Sequence, residues 1–220
     1  MRTSYKKVRG IYPNKLSVTG QINSVKNNES IEFESSLERD YIYLLEFDTE
    51  VKRYFEQPIK IFYIEDNIEK YYVPDFIVEY WNGSKEIIEI KYSQEIEEKR
   101  KILSTKFNAA KELCRNNGYT FKIINEHSIR TPLGWNAKFL HYYKYTNFNL
   151  NIEELTMLIN RLLELKRSNP MNLIQDLAKD ERKQAELLYL LWYGIATYSI
   201  SFDYQQKLSM NTVIWVTDHE

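Results

Sequence analysis

The segment Val73 to Tyr92, VPDFIVEYWNGSKEIIEIKY, sets three ionisable residues, Asp75, Glu89 and Lys91, into two runs that are otherwise mainly Ile, Val and Phe. Two carboxylates and an ammonium group suit one chemistry well. A hard divalent cation between the carboxylates keeps open positions for a phosphate, and the lysine orients water or stabilises charge on that phosphate. This requires all three side chains on one face, which depends on hairpin register. A two-residue loop at Asn82-Gly83 would oppose Asp75 to Ile90 and put Glu89 on the other face. A three-residue loop, Trp81-Asn82-Gly83, places Gly83 at the left-handed bulge position. Glu79 then opposes Lys85, Asp75 opposes Glu89, Val73 opposes Lys91, and Phe76 meets Ile88 on the reverse face. The second register is preferred because it sorts polar from apolar residues. Two opposed carboxylates repel, which makes sense where a cation sits between them. Glu-Ile-Lys alone is a common solvated-strand pattern. Pro74-Asp75 upstream and a following helix turn the reading towards a site.

A third carboxylate, Glu38, opens a helical stretch, SSLERDYIYLLEFD, over Ser35–Asp48. Leu37, Tyr41, Ile42, Leu44 and Leu45 make its apolar stripe, with Arg39, Asp40, Tyr43 and Glu46 largely away from it. Ser35-x-x-Glu38 is also a capping-box pattern, so Glu38 serves the helix start whether or not it serves an ion. The elements around these residues follow in order. Val51–Tyr63 reads as a bent or edge strand interrupted at Gln57-Pro58. Tyr71–Tyr80 and Ile87–Tyr92 are strands, Gln94–Asn117 a long helix ended by Gly118, and Tyr119–Asn125 a fourth strand. The sum is mixed α/β, a mixed sheet flanked by helices.

A short helix at Trp135–Tyr143 and a polar, aromatic linker place a domain boundary near Asn147–Asn151. Beyond it, helices at Ile152–Arg167, from Asn169-Pro170, and at Glu181–Thr197 precede short strands at about Tyr198–Asp203 and Thr212–Val216. Three helices and a two-stranded ribbon suggest a small winged-helix-like domain. Its third helix has only Arg182 and Lys183 to meet phosphate. Leu187–Tyr193 is apolar or aromatic, so base readout in the major groove is not expected. That helix is either a core helix or a docking surface for a partner protein.

The bulk composition narrows the classes. The 220 residues include 18 Tyr and one cysteine, Cys114, so no intramolecular disulfide forms and a reducing, cytoplasmic setting is expected. No secretory signal or membrane-spanning run is evident. Net charge is −1, yet the six basic residues of the first 28 (Arg2, Lys6, Lys7, Arg9, Lys15, Lys26) have no acidic companion. They read as a basic N-terminal arm for DNA phosphates. His127 and His141 lack metal-ligand spacing, Cys114 sits on an apolar helix side, and no Gly-rich phosphate loop is present.

Taken together, FESSLERDYIYLLEFD, VKRYFEQPIKIFY, YYVPDFIVEYWNG, EIIEIKY and IRTPLGWNAKFLHYY resemble the PD-(D/E)xK nuclease superfamily. More narrowly, they resemble the TnsA endonucleases of heteromeric Tns-type transposons. The resemblance covers most of residues 30–145 and, more loosely, the last seventy. It implies a restriction-endonuclease-like domain over 29–148, after the basic arm at 1–28 and before the winged-helix-like domain at 149–220. It implies Glu38, Asp75, Glu89 and Lys91 as catalytic residues. Asp75, Glu89 and Glu38 would be the metal ligands, for Mg²⁺ with Mn²⁺ as a substitute. Some relatives carry Gln where this chain has Glu89, and Gln57 in the EQP stretch is a supporting residue. The implied activity is cleavage of the 5′ ends of a transposon. The implied partners are a TnsB-like DDE transposase and a TnsC-like AAA+ ATPase that docks on the C-terminal domain. A nuclease of a defence or repair system, and a catalytically silent scaffold, are the alternatives.

Overall fold

The computed structural model describes residues 7–8, 18–144 and 150–217. Arg2, Lys6, Arg9 and Lys15 of the expected arm, and the centre of the expected linker, lie outside them. Cα packing divides the chain into two units, Met1–Arg130 and Thr131–Glu220.

The N-terminal unit is built on a four-stranded sheet in the order β3 (Val51–Glu56), β6 (Phe76–Tyr80), β7 (Lys85–Ile90), β8 (Thr120–Ile124). The first three are antiparallel neighbours, and β8 joins β7 in parallel. A parallel neighbour needs a long crossover. Here it is α2 (Ser93–Glu98) followed by α3 (Arg100–Asn117). The single expected helix is therefore broken at Lys99, which caps α2 and starts α3. Gly118 ends α3 at φ +70°, a left-handed conformation that costs glycine little.

β6 and β7 are central, and both faces are covered. On one face Phe76, Val78, Ile88 and Ile90 pack with Leu37, Tyr41, Ile42 and Leu45 of α1 (Ser36–Phe47). On the other, Ile77 and Ile87 meet Cys114 of α3. The mixed α/β sheet flanked by helices is the architecture expected from the sequence.

Several elements differ from that expectation. Val51–Tyr63 is not one bent strand. Gln57 takes φ +45° and is followed by Pro58, so the chain leaves the sheet and starts a separate hairpin. That hairpin pairs β4 (Ile61–Glu65) with β5 (Ile68–Tyr72) through Asp66 and Asn67, both at positive φ. Tyr71–Tyr80 is likewise split at Val73-Pro74-Asp75 between β5 and β6. The end of the expected basic arm is folded. β1 (Gly20–Ser24) pairs with β2 (Glu29–Phe33), and Ile22 and Ile31 enter the core. Lys7 is paired with Glu32, and Lys26 donates to the carbonyls of Asp48 and Val51 at 2.5 Å each.

Glu46 also departs from the sequence reading. It is 1% exposed, not on the solvent side of α1. Its carboxylate accepts from Ser24 Oγ at 2.5 Å, Tyr54 Oη at 2.9 Å and the Val25 amide at 3.2 Å. One buried carboxylate thus ties α1 to the β1–β2 hairpin and to β3.

In the C-terminal unit α8 (Glu181–Ala196) is the central element. Helices α5 (Pro132–Lys144), α6 (Ile152–Leu165) and α7 (Pro170–Leu177) all pack on it. Its Leu187, Leu190, Leu191, Trp192 and Ile195 are buried, so its apolar run is core. Strands β9 (Ile200–Phe202) and β10 (Ile214–Val216) pair antiparallel. Because α5 packs on α8, it groups with this unit, whereas the expected boundary at 148/149 assigned it to the nuclease domain. The short helix α4 (Glu126–Ile129) was not anticipated. Among the described residues no helix is long and apolar enough to cross a membrane.

Glu46→Ala would leave three buried or half-buried donors without their acceptor. An expected loss of about 2–3 kcal/mol follows, read as a lower denaturation midpoint in urea. Fast amide exchange confined to residues 20–33 would accompany it.

Candidate active site

The hairpin loop sets the geometry. The Gly83 amide donates to the Tyr80 carbonyl at 3.0 Å and the Tyr80 amide to the Ser84 carbonyl at 3.0 Å. Gly83 has φ +86°. This is the three-residue loop with its left-handed bulge, and the pairs are Phe76↔Ile88, Ile77↔Ile87, Val78↔Glu86 and Glu79↔Lys85. The Lys85 ammonium reaches the Glu79 carboxylate at 2.7 Å, with Arg53 on the same carboxylate.

Past the last ladder pair, Asp75 and Glu89 come together. Asp75 Oδ2 accepts from the Ile90 amide at 2.6 Å. The Lys91 ammonium lies 2.9 Å from Glu89 Oε1 and 3.6 Å from Asp75 Oδ2, and donates to the Ile90 carbonyl at 3.0 Å. The backbone on either side is pinned as well. The Lys91 amide donates to the Ile124 carbonyl at 3.1 Å, extending the β7–β8 ladder. The Gln57 amide donates to the Asp75 carbonyl at 2.8 Å, extending β3–β6. Gln57 is itself buried, with Oε1 unpartnered.

The charges here do not balance locally. Glu89 is 5% exposed, and its Oε2 has no hydrogen-bond partner. Burial first, and then the neighbouring Asp75 charge, push its carboxyl up to about 8, against the opposing pull of Lys91. Glu38 is pushed up to about 7 by burial and then by Asp75. For Lys91, burial lowers the pKa, but Asp75 and Glu89 together outweigh it and leave the ammonium above its ordinary value.

Glu38 lies within electrostatic reach of Asp75, but both its oxygens are engaged locally. Oε2 accepts from the Glu34 amide at 2.9 Å and Oε1 from Ser35 Oγ at 2.9 Å, while Ser35 Oγ accepts from the Glu38 amide at 3.1 Å. The capping function expected for Glu38 is present, with Glu34 supplying the return amide. Among the described residues no three His, Cys, Asp or Glu side chains are grouped as a ready metal cage. The donor set nevertheless suits a hard divalent cation. Asp75 and Glu89 both turn carboxyl oxygens towards the Lys91 ammonium, and one Glu89 oxygen is buried and unpartnered. Such an ion would be held by Asp75 and Glu89, with Glu38 reaching it through water.

One flanking cluster was missed in the sequence. Arg130 donates through Nη2 to Tyr92 Oη at 3.1 Å and to Ser36 Oγ at 3.2 Å, and its Nε is 3.5 Å from Asp40. It therefore joins the start of α1, which carries Glu38, to the residue after Lys91. The Glu126 carboxylate accepts from Ser93 Oγ and from the Ser93 amide, the latter at 2.8 Å, and these bonds hold it down at about 2. No spacing rule links these positions, since α1 and the β7–α2 and β8–α4 connections bring them together from distant parts of the chain. His127 is exposed.

Residues 48–126 match the family described as TnsA-like endonuclease N terminal. The matched segment includes β3, β6, β7, β8 and the positions of Asp75, Glu89 and Lys91. No curated protein matches the chain.

Lys91→Met removes the one cation that, among the described residues, touches both carboxylates, and is expected to cost about 3 kcal/mol in metal-free buffer. At a pH above about 8, where the Glu89 carboxyl is ionised, Glu89→Gln removes a buried, half-satisfied charge and is expected to raise the melting temperature in metal-free buffer. Opposite shifts in differential scanning calorimetry check the pair.

Proposed function

The chain carries a TnsA-like nuclease domain, and from that premise we propose that it is a divalent-metal-dependent DNA endonuclease that cuts the 5′ ends of a Tns-type transposon. The single observation that carries this reading is Lys91 bridging Asp75 and Glu89 beside an unpartnered Glu89 oxygen. That arrangement is costly for stability alone. It is useful where a phosphodiester must be held and hydrolysed.

A divalent cation bound here would polarise the scissile phosphate and lower the pKa of a coordinated water. The remaining work falls to the protein. Asp75 and Glu89 would hold the ion, Asp75 being fixed by the Ile90 amide. Glu38, held at the start of α1, would hold a water beside the ion. Lys91 offers its ammonium hydrogens to the phosphate or the attacking water once it no longer bridges the carboxylates. Arg130, joined to Ser36 and Tyr92, places a second positive group beside the site for the DNA backbone.

The Asp75–Lys91 site reads no sequence, so site choice falls to partners. These are a TnsB-like DDE transposase for the 3′ strands and a TnsC-like AAA+ ATPase, which docks on the winged-helix-like C-terminal unit. The groove of Leu150, Glu154, Ala185, Glu186, Tyr189 and Leu190 is open to that docking, since α8's other apolar residues are core.

The test is cleavage of labelled transposon-end DNA with Mg²⁺ or Mn²⁺, with and without the two partners. Wild type yields a 5′-end nick. Asp75→Ala and Lys91→Ala lower the rate by about 100-fold or more while retaining DNA binding. No product from wild type under any of these conditions, or equal product from wild type and Asp75→Ala, overturns the proposal.

A further inference from the structure

The C-terminal unit presents a surface of different chemistry. Trp135, Phe139 and Tyr142 stand on α5 at spacings of four and three, so they form one stripe. They are 52%, 43% and 68% exposed. Phe139 is held edge-on to the buried Trp192, with ring centroids 5.3 Å apart at 83°.

The neighbouring loop is fastened to this helix by a buried polar side chain. Asn136, 2% exposed, donates to the Gln206 carbonyl and accepts from the Leu208 amide, both at 2.8 Å. That two-point grip fixes the residue between, Lys207, whose ammonium lies 5.3 Å from the centre of the Trp135 ring. The Ser209 amide donates to Thr212 Oγ1 at 2.9 Å and stiffens the same loop. The result is a cleft of about 260 Å³, walled by Trp135, Phe139, Trp192, Lys207, Leu208 and Met210.

Charge selects the occupant. α5 contains Lys138, His141 and Lys144 and no acidic residue, and no acidic residue lines the cleft. The groove on the α6–α8 side of the same unit is lined by Glu154 and Glu186 instead. An exposed aromatic face beside a lysine suits a planar base with its phosphate. In duplex DNA the base faces are covered by their neighbours, so only an unpaired base can stack on a side chain.

We propose that the Trp135–Phe139 face of α5, with Lys207 fixed beside it by Asn136, binds an unpaired nucleotide of a DNA strand. The base stacks on Trp135 and the adjacent phosphate pairs with Lys207. The proposal rests on the nuclease reading only in taking DNA as the ligand.

The experiment uses the full chain and fluorescein-labelled oligothymidylate, with a labelled duplex of equal length as comparison. Fluorescence anisotropy is followed across a salt series. Trp135→Ala weakens single-strand binding about 10-fold. Trp135→Phe restores most of it, and Lys207→Ala lowers the salt slope by about 0.7. Duplex affinity stays within about 2-fold of wild type for all three, as expected if no base stacks from a duplex. The readout is equilibrium binding in metal-free buffer and does not depend on cleavage, so the nuclease reading and this surface fail separately. Unchanged single-strand affinity in Trp135→Ala and Lys207→Ala overturns the proposal. So does an equal loss for single strand and duplex, or a loss confined to binding of the AAA+ partner. Since Trp135 is half exposed, Trp135→Phe and Lys207→Ala still decide the matter if Trp135→Ala is unstable.

Discussion

The register of the β6–β7 hairpin is the constraint on which the rest depends. Side chains alternate across a strand, so a slip of one residue moves every side chain of one strand to the other face. Gly83, at φ +86°, lets a three-residue loop close with Tyr80 and Ser84 bonded, and Phe76 then faces Ile88. Counting outward along the strands, the same register brings Asp75 opposite Glu89, with Lys91 in reach of both. The apolar face locks this choice, because the alternative would turn either Val78 of β6 or Ile88 of β7 away from α1. Packing of the core and assembly of the charged cluster are therefore one structural event.

That cluster works against the stability of the fold around it. Glu89 is buried with an unpartnered oxygen, and Glu38 and Glu89 are both raised by burial and by Asp75. A sequence selected only to fold would place apolar residues or a matched ion pair here. Strain of a second kind lies next to it, where Gln57 holds a positive φ and ties its amide to the Asp75 carbonyl. Local rules tend to be broken where a site requires it. Here an unusual backbone and an unbalanced set of charges meet at one aspartate.

The central sheet and the Asp75–Glu89–Lys91 grouping were legible in the sequence because both follow from period-two alternation and one glycine. The capping role of Glu38 was legible from Ser35 three residues before it. Other features had no local signal. β1 and β2 are short and largely polar, so only Ile22, Ile31 and Phe33 hint at burial. Glu46 looked like a surface residue because its partners, Ser24, Val25 and Tyr54, come from elsewhere in the chain. The break at Lys99 falls inside a stretch whose helical pattern continues across it. The packing boundary ahead of α5 had no local signal, because α5 lies before the linker in sequence but packs on α8. Arg130 escaped notice for the same reason, since its bonds to Ser36 and Tyr92 span 94 and 38 residues.

The account's central claim is that Asp75 and Glu89 together hold a divalent ion beside Lys91. Electron paramagnetic resonance of Mn²⁺ titrated into the full chain tests it most directly. Wild type should convert the free six-line signal into a protein-bound one, and Asp75→Asn, with its fold intact by circular dichroism, should leave the signal free. Equal Mn²⁺ binding by the two proteins, or no binding by wild type with or without DNA, would contradict the claim.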